Sequence, residues 1–487
     1  MGSLPSKIGE PAGTADRATR ADKAGRGTGG GMRAAERLRR TWQVLMDGSP
    51  PEPPEEEPGE TVDPRAVDLV LRVGELLLAS GETTERVNEA MLSLALAYEL
   101  PRCEVQVTLT SLLVSAHPGK GAPPMTGTRA IRRRTPAYWR LTALHQLVQD
   151  ASIGMLELDE AHKRLREIKT GRAPYPAWLM VVSLGLIAAS GSVLSGGGPL
   201  VATTAFIATL LGDRTAAALA RRGIAEFFQL TVAAAIGAGA AALVVALGNP
   251  GHAATIVTGA ILALLPGRPL VASIQDGITG DLVSAGARVL EVFFMIAAIV
   301  AGLGAVVYLA VNMGVPIDVK HLPTPAAELR PVAVIAAAAI SVTFAISLAA
   351  PKDVLLASAV GGGMIWVLYV LVRGWNVPPV LAAAMAATAV GVAANWLARR
   401  HNQPVMPFLV PAIGPLLPGT ALYRGMVELN TGSPNTGVLS LIGAVSVALA
   451  LGAGVNLGGE FVRAFQHVGL GGSGRWARPA ARRTRGF

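Results

Sequence analysis

A series of apolar runs between residues 174 and 462 constrains this chain more than any other feature of its sequence. Glycine, proline or a short charged turn separates each run from the next. Most runs approach the roughly 20 residues that a helix needs to cross about 30 Å of hydrocarbon. Only 15% of the 487 residues are charged, against about a quarter in soluble proteins, so the excess apolar surface must face lipid. The sequence therefore predicts an α-helical polytopic membrane protein.

We count ten candidate transmembrane helices, of which the second and fourth are short or interrupted. They lie at about 177–195, 199–211, 224–247, 253–271, 286–311, 331–349, 354–372, 378–398, 404–423 and 437–460. The first five belong to residues 174–318 and the last five to residues 326–462. A basic tail at 463–487 follows them.

The first 173 residues differ in character from the rest. Residues 1–62 predict a disordered tail, with a basic amphipathic helix near Met32–Met46 and an acidic, proline-rich linker at Pro50–Glu60. Residues 63–173 predict a cytosolic α/β or α+β domain, because helical stripes flank short alternating runs. Its predicted helices run from Pro64 to Gly81, Thr83 to Tyr98, Tyr138 to Asp150 and Leu158 to Lys169, with extended runs at Glu104–Leu109 and Leu112–Val114.

The basic residues predict the orientation in the membrane. No secretory signal opens the chain, so we expect a cytosolic amino terminus. The loops on that side then receive Arg164, Arg166, Lys169, Arg172, Arg214, Arg221, Arg222, Arg268, Arg288, Lys352, Arg399, Arg400 and the tail after Arg463. The opposite loops receive only Lys320, Arg330, Arg373 and Arg424. This asymmetry satisfies the positive-inside rule and predicts a bacterial inner-membrane protein with both termini in the cytoplasm.

Several classes of partner are disfavoured by the composition. Cys103 is the only cysteine, which excludes an intramolecular disulfide, and no Cys/His cluster has the spacing of a metal site. The net charge of +9 comes from basic residues at the tails and beside apolar runs rather than from a nucleic-acid-binding patch. We therefore expect no metal, no cofactor and no nucleic acid. The expected partners are the lipid bilayer and a small-molecule substrate, and a homo-oligomer stays open.

An internal repeat relates the two sets of apolar runs. Leu264-Leu265-Pro266-Gly267 recurs as Leu416-Leu417-Pro418-Gly419, and the same offset of 152 carries Asp276 onto Glu428 and Gly280 onto Gly432. An offset of 151 carries Arg222-Gly223 onto Arg373-Gly374. Because each copy holds an odd number of helices, the second copy must enter the bilayer from the opposite face. Such inverted repeats are typical of secondary transporters, which bind their substrates beside interrupted helices.

The proline-glycine breaks at Pro266-Gly267 and Pro418-Gly419 are the expected position of that site. Proline removes a backbone donor and frees carbonyls, which the membrane tolerates only where protein or a polar cavity surrounds them. Ionisable residues near the breaks are the functional candidates, because charge within the bilayer is costly. They are Asp276, Asp281, Arg268, Arg288 and Glu291 near the first break, and Arg424 and Glu428 near the second.

Three segments resemble the bacterial threonine/serine exporter family. Gly81-Glu82-Thr83-Thr84-Glu85-Arg86-Val87-Asn88-Glu89-Ala90-Met91 and the alternating region after it resemble the family's amino-terminal domain. LLPGRPLVASIQDGITGDLVSAGARVLE, at Leu264–Glu291, and PFLVPAIGPLLPG, at Pro407–Gly419, are similar to its two membrane units. The resemblance implies a cytosolic domain fused to ten membrane helices, and export of threonine and serine driven by the proton motive force.

An amino acid substrate would need partners of opposite charge. Asp276 or Glu428 suits the ammonium, while Arg268, Arg288 or a helix amino terminus suits the carboxylate. Asp276, Glu291 or Glu428 could also carry the coupled proton. The alternatives are a dicarboxylate exporter of the same fold and a membrane-bound hydrolase, for which Ser111, His117 and Asp150 are available. An ATP-driven pump is disfavoured because the sequence lacks a phosphate-binding G-x-x-x-x-G-K-[ST] loop.

Overall fold

The structure, a computed structural model, is mostly helical and describes residues 62–119, 123–131, 137–249, 252–315, 329–430 and 434–468. The predicted amphipathic helix at Met32–Met46, the linker at Pro50–Glu60, Gly432 and most of the basic tail lie outside these residues.

Residues 64–170, called the α+β segment below, contain four helices and one sheet. They are α1 (Pro64–Ser80), α2 (Thr84–Ala97), β1 (Glu104–Val107), β2 (Ser111–Ala116), β3 (Met125–Ala130), α3 (Tyr138–Ser152) and α4 (Leu158–Thr170). Helix α1 starts where the Asp63 carboxylate accepts the Arg65 amide, with proline in the first turn, and it ends at Gly81 in the left-handed region. The helix predictions are confirmed to within one or two residues.

The sheet is antiparallel, with strands in the order β1-β2-β3. Val105 pairs with Val114 across β1 and β2, so the alternating run and the extended run predicted from the sequence lie side by side. Strand β3 was not predicted. Its residues, Met125–Ala130, include glycine and two threonines and lack an apolar stripe, so only its pairing with β2 makes it a strand.

The rest of the chain forms a bundle of long and short helices. They are α5 (Ala177–Leu194), α6 (Pro199–Arg221), α7 (Glu226–Ala246), α8 (Ala253–Leu262), α9 (Gly267–Thr279), α10 (Leu282–Asn312), α11 (Pro331–Ser347), α12 (Val354–Gly374), α13 (Pro379–Arg400), α14 (Met406–Ile413), α15 (Gly419–Asn430) and α16 (Pro434–Val468). A short 3₁₀ turn, Gly414–Leu416, follows α14.

Length and hydropathy identify most of these helices as membrane spans. Six of the described helices are long and apolar enough to cross a bilayer, namely α5, α7, α10, α12, α13 and α16. Two bent pairs, α8 with α9 and α14 with α15, raise the number to eight if each pair counts as one span. Helix α11 is apolar but has only 17 residues. The chain is therefore a polytopic membrane protein.

Several predicted boundaries were wrong, since the helices of the fourth, ninth and tenth spans end at Thr279, Asn430 and Val468 instead of 271, 423 and 460. The second span was expected to end at residue 211, but α6 continues to Arg221, because charged residues end an apolar run without ending a helix. Asp213 and Arg214 form an ion pair within it. The fifth was expected to begin at residue 286, but α10 begins at Leu282. Arg288, expected in a cytoplasmic loop, therefore lies inside α10 and is buried.

The α+β segment packs directly against the helical bundle. The backbone amides of Tyr138 and Trp139 in the first turn of α3 donate to the carbonyls of Leu348 (3.0 Å) and Ala349 (2.9 Å), just after α11. Amides at a helix start lack partners within the helix, so these bonds satisfy both elements. The hydrophobic core of the α+β segment is continuous with four bundle residues, Ala345, Ala350, Met406 and Val410.

Candidate functional site

The two proline-glycine breaks lie against each other near the centre of the bundle. The chain bends by 57° between α8 and α9, and by 44° between the 3₁₀ turn and α15. A side chain at Gly267 would approach Leu417, which precedes the second break, and one at Gly419 would approach the Thr258 carbonyl oxygen on α8. The breaks therefore meet through small residues that allow their backbones to pass closely.

A small apolar cavity lies where the breaks meet. Its volume is about 20 Å³, close to the space that one water molecule needs. It is lined by Leu265, Pro266, Gly267, Leu270, Val292, Ile296, Leu417, Pro418, Leu422, Ala444, Val445 and Ala448. The bundle is therefore closed to a solute at this point.

The most deeply buried charge in the bundle belongs to Asp276, on α9. Its side chain has 0% exposure, and its Oδ2 atom accepts a hydrogen bond from Arg288 Nε at 2.8 Å. Its Oδ1 atom accepts two bonds from Thr84, one from the backbone amide (3.2 Å) and one from the hydroxyl (2.9 Å). A buried charge is tolerated when it is paired and its remaining lone pairs are hydrogen-bonded, and Asp276 meets both conditions.

Arg288 links α10 to the same cluster. Its Nη2 atom donates to the backbone carbonyl of Glu82 at 3.3 Å, and its side chain is only 5% exposed. The α+β segment thus supplies hydrogen bonds to both members of the buried pair. We call Asp276, Arg288, Glu82 and Thr84 the interface cluster.

The chain approaches the interface cluster through the end of α1. Gly81 has a φ of +102°, and a Cβ atom there would lie 2.2 Å from Arg268 Nη1. Only glycine combines this left-handed conformation with such a close approach. Arg268, predicted as a site residue, therefore packs on the backbone that leads into the interface cluster.

Glu82 carries a second buried carboxylate. Its Oε1 atom accepts the Thr83 amide at 3.1 Å. Burial raises the pKa of Glu82 above its ordinary value, although the nearby Arg86 and Arg288 oppose that shift. The hydroxyls of Thr83 and Tyr138 are also buried, and neither has a hydrogen-bond partner among the described residues.

The other predicted residues lie in different surroundings. Asp281 is the N-cap of α10, where its carboxylate accepts the Ser284 amide at 3.1 Å. Glu428 on α15 accepts a hydrogen bond of 2.6 Å from Ser440 on α16. Glu291 on α10 and Arg424 on α15 are half-buried. The structure thus assembles Asp276, Arg288 and Arg268 near the first break and places Asp281 in a capping role.

Glu82 and Thr84 were not predicted as site residues, although both belong to the quoted family motif. Thr84 is 192 positions from Asp276, and Glu82 is 206 positions from Arg288. Neither periodicity nor charge pattern can pair residues at that separation.

The residues considered for a hydrolase are not assembled. About 20 Å of extended strand separates Ser111, at the start of β2, from His117, just after its end. The Ser111 hydroxyl lies 2.8 Å from the Thr108 hydroxyl, and Asp150 pairs with Arg164 at 2.5 Å. Ser111 and His117 are therefore too far apart to share a proton.

Two family models match the chain. One, described as "Putative threonine/serine exporter", matches residues 68–310, and the other, described as "Threonine/Serine exporter, ThrE", matches residues 333–459. The first match covers the interface cluster from both the α+β segment and the bundle.

Similarity to individual proteins indicates the same family. The chain is 31% identical over 414 residues to a Mycobacterium tuberculosis protein named "Probable threonine/serine exporter", covering 84% of this chain and 78% of that relative. It is 29% identical to a Corynebacterium glutamicum "Threonine/serine exporter", covering 80% of this chain and 81% of that relative. A Klebsiella aerogenes "Probable succinate transporter subunit YjjP" is 25% identical, with coverage of 45% and 84%. No solved structure matches the chain.

Proposed function

This chain belongs to the threonine/serine exporter family, and on that premise we propose that it carries threonine and serine out of the cytosol across the bacterial inner membrane. The observation that supports this function most strongly is the buried pair of Asp276, on the helix that follows the first break, and Arg288 on α10. An amino acid is a zwitterion, and these two side chains offer one charge of each sign. Asp276 would bind the ammonium, and Arg288, with Arg268 nearby, would bind the carboxylate.

The proposed architecture is ten membrane helices in two inverted repeats of five. The helix starts of the first half recur 152 to 155 residues later. Ala177, Pro199, Glu226, Ala253, Gly267 and Leu282 correspond to Pro331, Val354, Pro379, Met406, Gly419 and Pro434.

Helix packing supports the same repeat. Helix α10 packs on α7 as α16 packs on α13, while α9 packs on α16 and α15 packs on α10. The pair of Asp276 and Arg288 corresponds, at an offset of 152, to the hydrogen-bonded pair of Glu428 and Ser440. The second half therefore keeps the contact but has serine where the first half has Arg288.

We further propose that residues 63–173 form a cytosolic domain and that both termini are cytoplasmic. The interface cluster would then lie on the cytosolic side of the helix break, where an exporter must load its substrate. Coupling to the proton motive force is part of the proposal, and Asp276, Glu291 and Glu428 are the candidates for carrying the proton.

A dicarboxylate exporter is the second candidate, because one relative is named as a succinate transporter subunit. The interface cluster favours the amino acid, since a second anion would face both Asp276 and Glu82. Competition between labelled threonine and succinate in a vesicle flux assay separates the two functions. Succinate that blocks threonine flux at equal concentration would favour the dicarboxylate.

Efflux of labelled threonine from loaded cells, with and without a protonophore, tests the main proposal. We expect Asp276→Asn to lower efflux by about 10- to 100-fold, because a hydrogen bond to a charged group contributes about 1.5–3 kcal/mol. Glu226→Gln is the control, since it neutralises an exposed carboxylate at the start of α7. Unchanged efflux from a membrane-inserted Asp276→Asn protein would remove Asp276 from the mechanism.

A further inference from the structure

We propose that Thr84 is a tethered substrate mimic, which occupies the subsite where a free threonine or serine places its ammonium and its hydroxyl. This inference rests on the proposed function and identifies where that function binds its substrate. The α+β segment would then keep the site closed until the substrate displaces Thr84 from Asp276.

The hydrogen bonds of Thr84 carry this inference. Its amide nitrogen and its hydroxyl oxygen both donate to the same oxygen, Oδ1 of Asp276, at 3.2 and 2.9 Å. These two donors are joined through the α and β carbons, and free threonine and serine contain the same N–Cα–Cβ–O unit. A carboxylate oxygen that accepts both donors from Thr84 can accept both from the free amino acid.

The neighbouring contact supplies a place for the substrate carboxylate. Arg288 Nη2 binds the Glu82 carbonyl oxygen at 3.3 Å, while Arg288 Nε stays on Asp276 Oδ2 at 2.8 Å. If residues 82–84 withdraw, one acceptor and one donor become available together, and the ion pair itself remains intact. A zwitterion with a β-hydroxyl satisfies both, whereas a dicarboxylate offers no donor to Asp276.

When Thr84 is bound to Asp276, several buried groups nearby favour the release of Thr84. The Glu82 carboxyl is 4% exposed, and the hydroxyls of Thr83 and Tyr138 are fully buried without a hydrogen-bond partner among the described residues. Each of these groups would regain water if the start of α2 moved away. The free energy of keeping these groups away from water opposes the contact between Thr84 and Asp276, which helps a small solute to replace it.

The first experiment compares adjacent threonines in the full chain. Thr84→Val keeps the shape of the side chain and removes the hydroxyl that Asp276 accepts, while Thr83→Val removes a hydroxyl that makes no such bond. Because the mimic competes with the substrate, we expect Thr84→Val to lower the half-saturating threonine concentration for efflux by about threefold to tenfold. We expect a wild-type value for Thr84→Ser, whereas Thr83→Val, which removes a buried hydroxyl that favours release, should not lower this concentration. A Thr84→Val protein that needs more threonine than the wild type would overturn the proposal.

The second experiment detects the displacement without measuring transport. In a Cys103→Ala background, Thr83→Cys places a thiol at a side chain that is 0% exposed. In membrane vesicles, saturating threonine or serine should accelerate maleimide labelling of this thiol at least severalfold, and 2-aminobutyrate, which lacks the hydroxyl, should do so less. Succinate should have no effect.

The two measurements separate the mimic from the transport function. Threonine efflux with an unchanged labelling rate would overturn the mimic and leave the exporter standing. Accelerated labelling without efflux would support the mimic as a threonine site and overturn export. If threonine is not exported and does not accelerate labelling, both proposals are wrong.

Discussion

Asp276 and Arg288 form an ion pair in a region where an unpaired charge is costly, and the α+β segment completes their hydrogen bonding. Removal of one partner from such a pair leaves a buried charge without compensation, which typically costs about 3–5 kcal/mol. Thr84 and Glu82 therefore have a structural consequence. They join the α+β segment to α9 and α10 through three hydrogen bonds.

Gly81 allows a quantitative test of how closely the end of α1 packs against Arg268. Gly81→Ala and Gly154→Ala both place a side chain at a left-handed position, with φ of +102° and +76°, which costs about 1–2 kcal/mol. Only the alanine at position 81 also meets Arg268, at 2.2 Å, while nothing lies within 4 Å at position 154. We expect Gly81→Ala to lower the unfolding free energy by about 1–3 kcal/mol more than Gly154→Ala.

Thermal unfolding of both variants in detergent measures that difference. Adding Arg268→Ala to Gly81→Ala should recover the excess, because it removes the overlapping side chain. Equal losses for the two glycine variants would show that Arg268 moves aside without cost.

His145 on α3 predicts a loss of stability in acid. Burial, assisted by the Arg86 charge, lowers the pKa of His145 from 6.5 to about 4. Between these two values the unfolded chain binds a proton and the folded chain does not, so stability falls as the pH falls through this window. The full shift corresponds to at most about 3 kcal/mol.

Unfolding midpoints of wild type, His145→Gln and His162→Gln between pH 7 and pH 4 test this expectation. His145→Gln should flatten the pH dependence, whereas the His162→Gln variant, changed on the neighbouring helix α4, should keep the wild-type slope. A wild-type slope in His145→Gln would exclude this residue as the cause.

How far the site could be predicted depends on the kind of residue. Asp276 and Arg288 could be predicted because charged residues are rare in apolar sequence, where their burial is costly. Thr84 and Glu82 could not, because nothing distinguishes them from ordinary residues at a helix start until the tertiary contact forms. Asp281 illustrates the opposite error, since a charge beside a break can serve as an N-cap.

At the scale of elements, one close helix crossing of the first half recurs in the second. A Cβ atom at Gly302 on α10 would lie 2.1 Å from the Thr231 carbonyl oxygen on α7, and one at Gly454 on α16 would lie 2.4 Å from the Ala384 carbonyl oxygen on α13. Gly302 and Gly454 are 152 residues apart, which is the offset of the repeat. Small residues at helix crossings let membrane helices pack backbone to backbone.

Alanine at these two positions should therefore destabilise the bundle. Gly302→Ala and Gly454→Ala must push apart two backbones, and we expect each to lower the unfolding midpoint, at a cost of about 1–3 kcal/mol. Gly443→Ala on α16 is the control, because nothing lies within 4 Å of its added side chain and alanine usually stabilises a helix interior by about 0.5–1 kcal/mol. Detergent unfolding curves should thus shift in opposite directions, and a shared direction would contradict the close crossings.

The elements were largely predictable because membrane helices must satisfy their own backbone, so apolar length and proline-glycine breaks define them. The errors occurred where another interaction decides the outcome. Helix α6 extends past residue 211 because Asp213 and Arg214 end the apolar run without ending the helix, and β3 exists because β2 offers it an edge.

At the scale of the whole molecule, the two halves share a framework and differ in charge. Arg268 and Arg288 of the first half correspond, at an offset of 152, to Thr420 and Ser440 of the second. The first half also accepts hydrogen bonds from Thr84, at the start of α2.

Opposite insertion of the two halves is the assumption on which this arrangement depends. Five helices per half, with Arg222 and Arg373 at equivalent helix ends, require those two ends to face opposite compartments. We therefore expect an Arg222→Cys protein to resist a membrane-impermeant maleimide in intact cells, and a Trp375→Cys protein, changed at a site with 77% exposure, to react with it.

Both proteins carry Cys103→Ala, so that only the introduced thiol can react. The native thiol should itself react slowly, because burial, with Glu104 nearby, raises the pKa of Cys103 to about 11. After permeabilisation both introduced thiols should react, which controls for their intrinsic accessibility. If both react from the same side in intact cells, the halves are parallel. The helix breaks would then enter the bilayer from one face, and a pathway between them could not alternate its access.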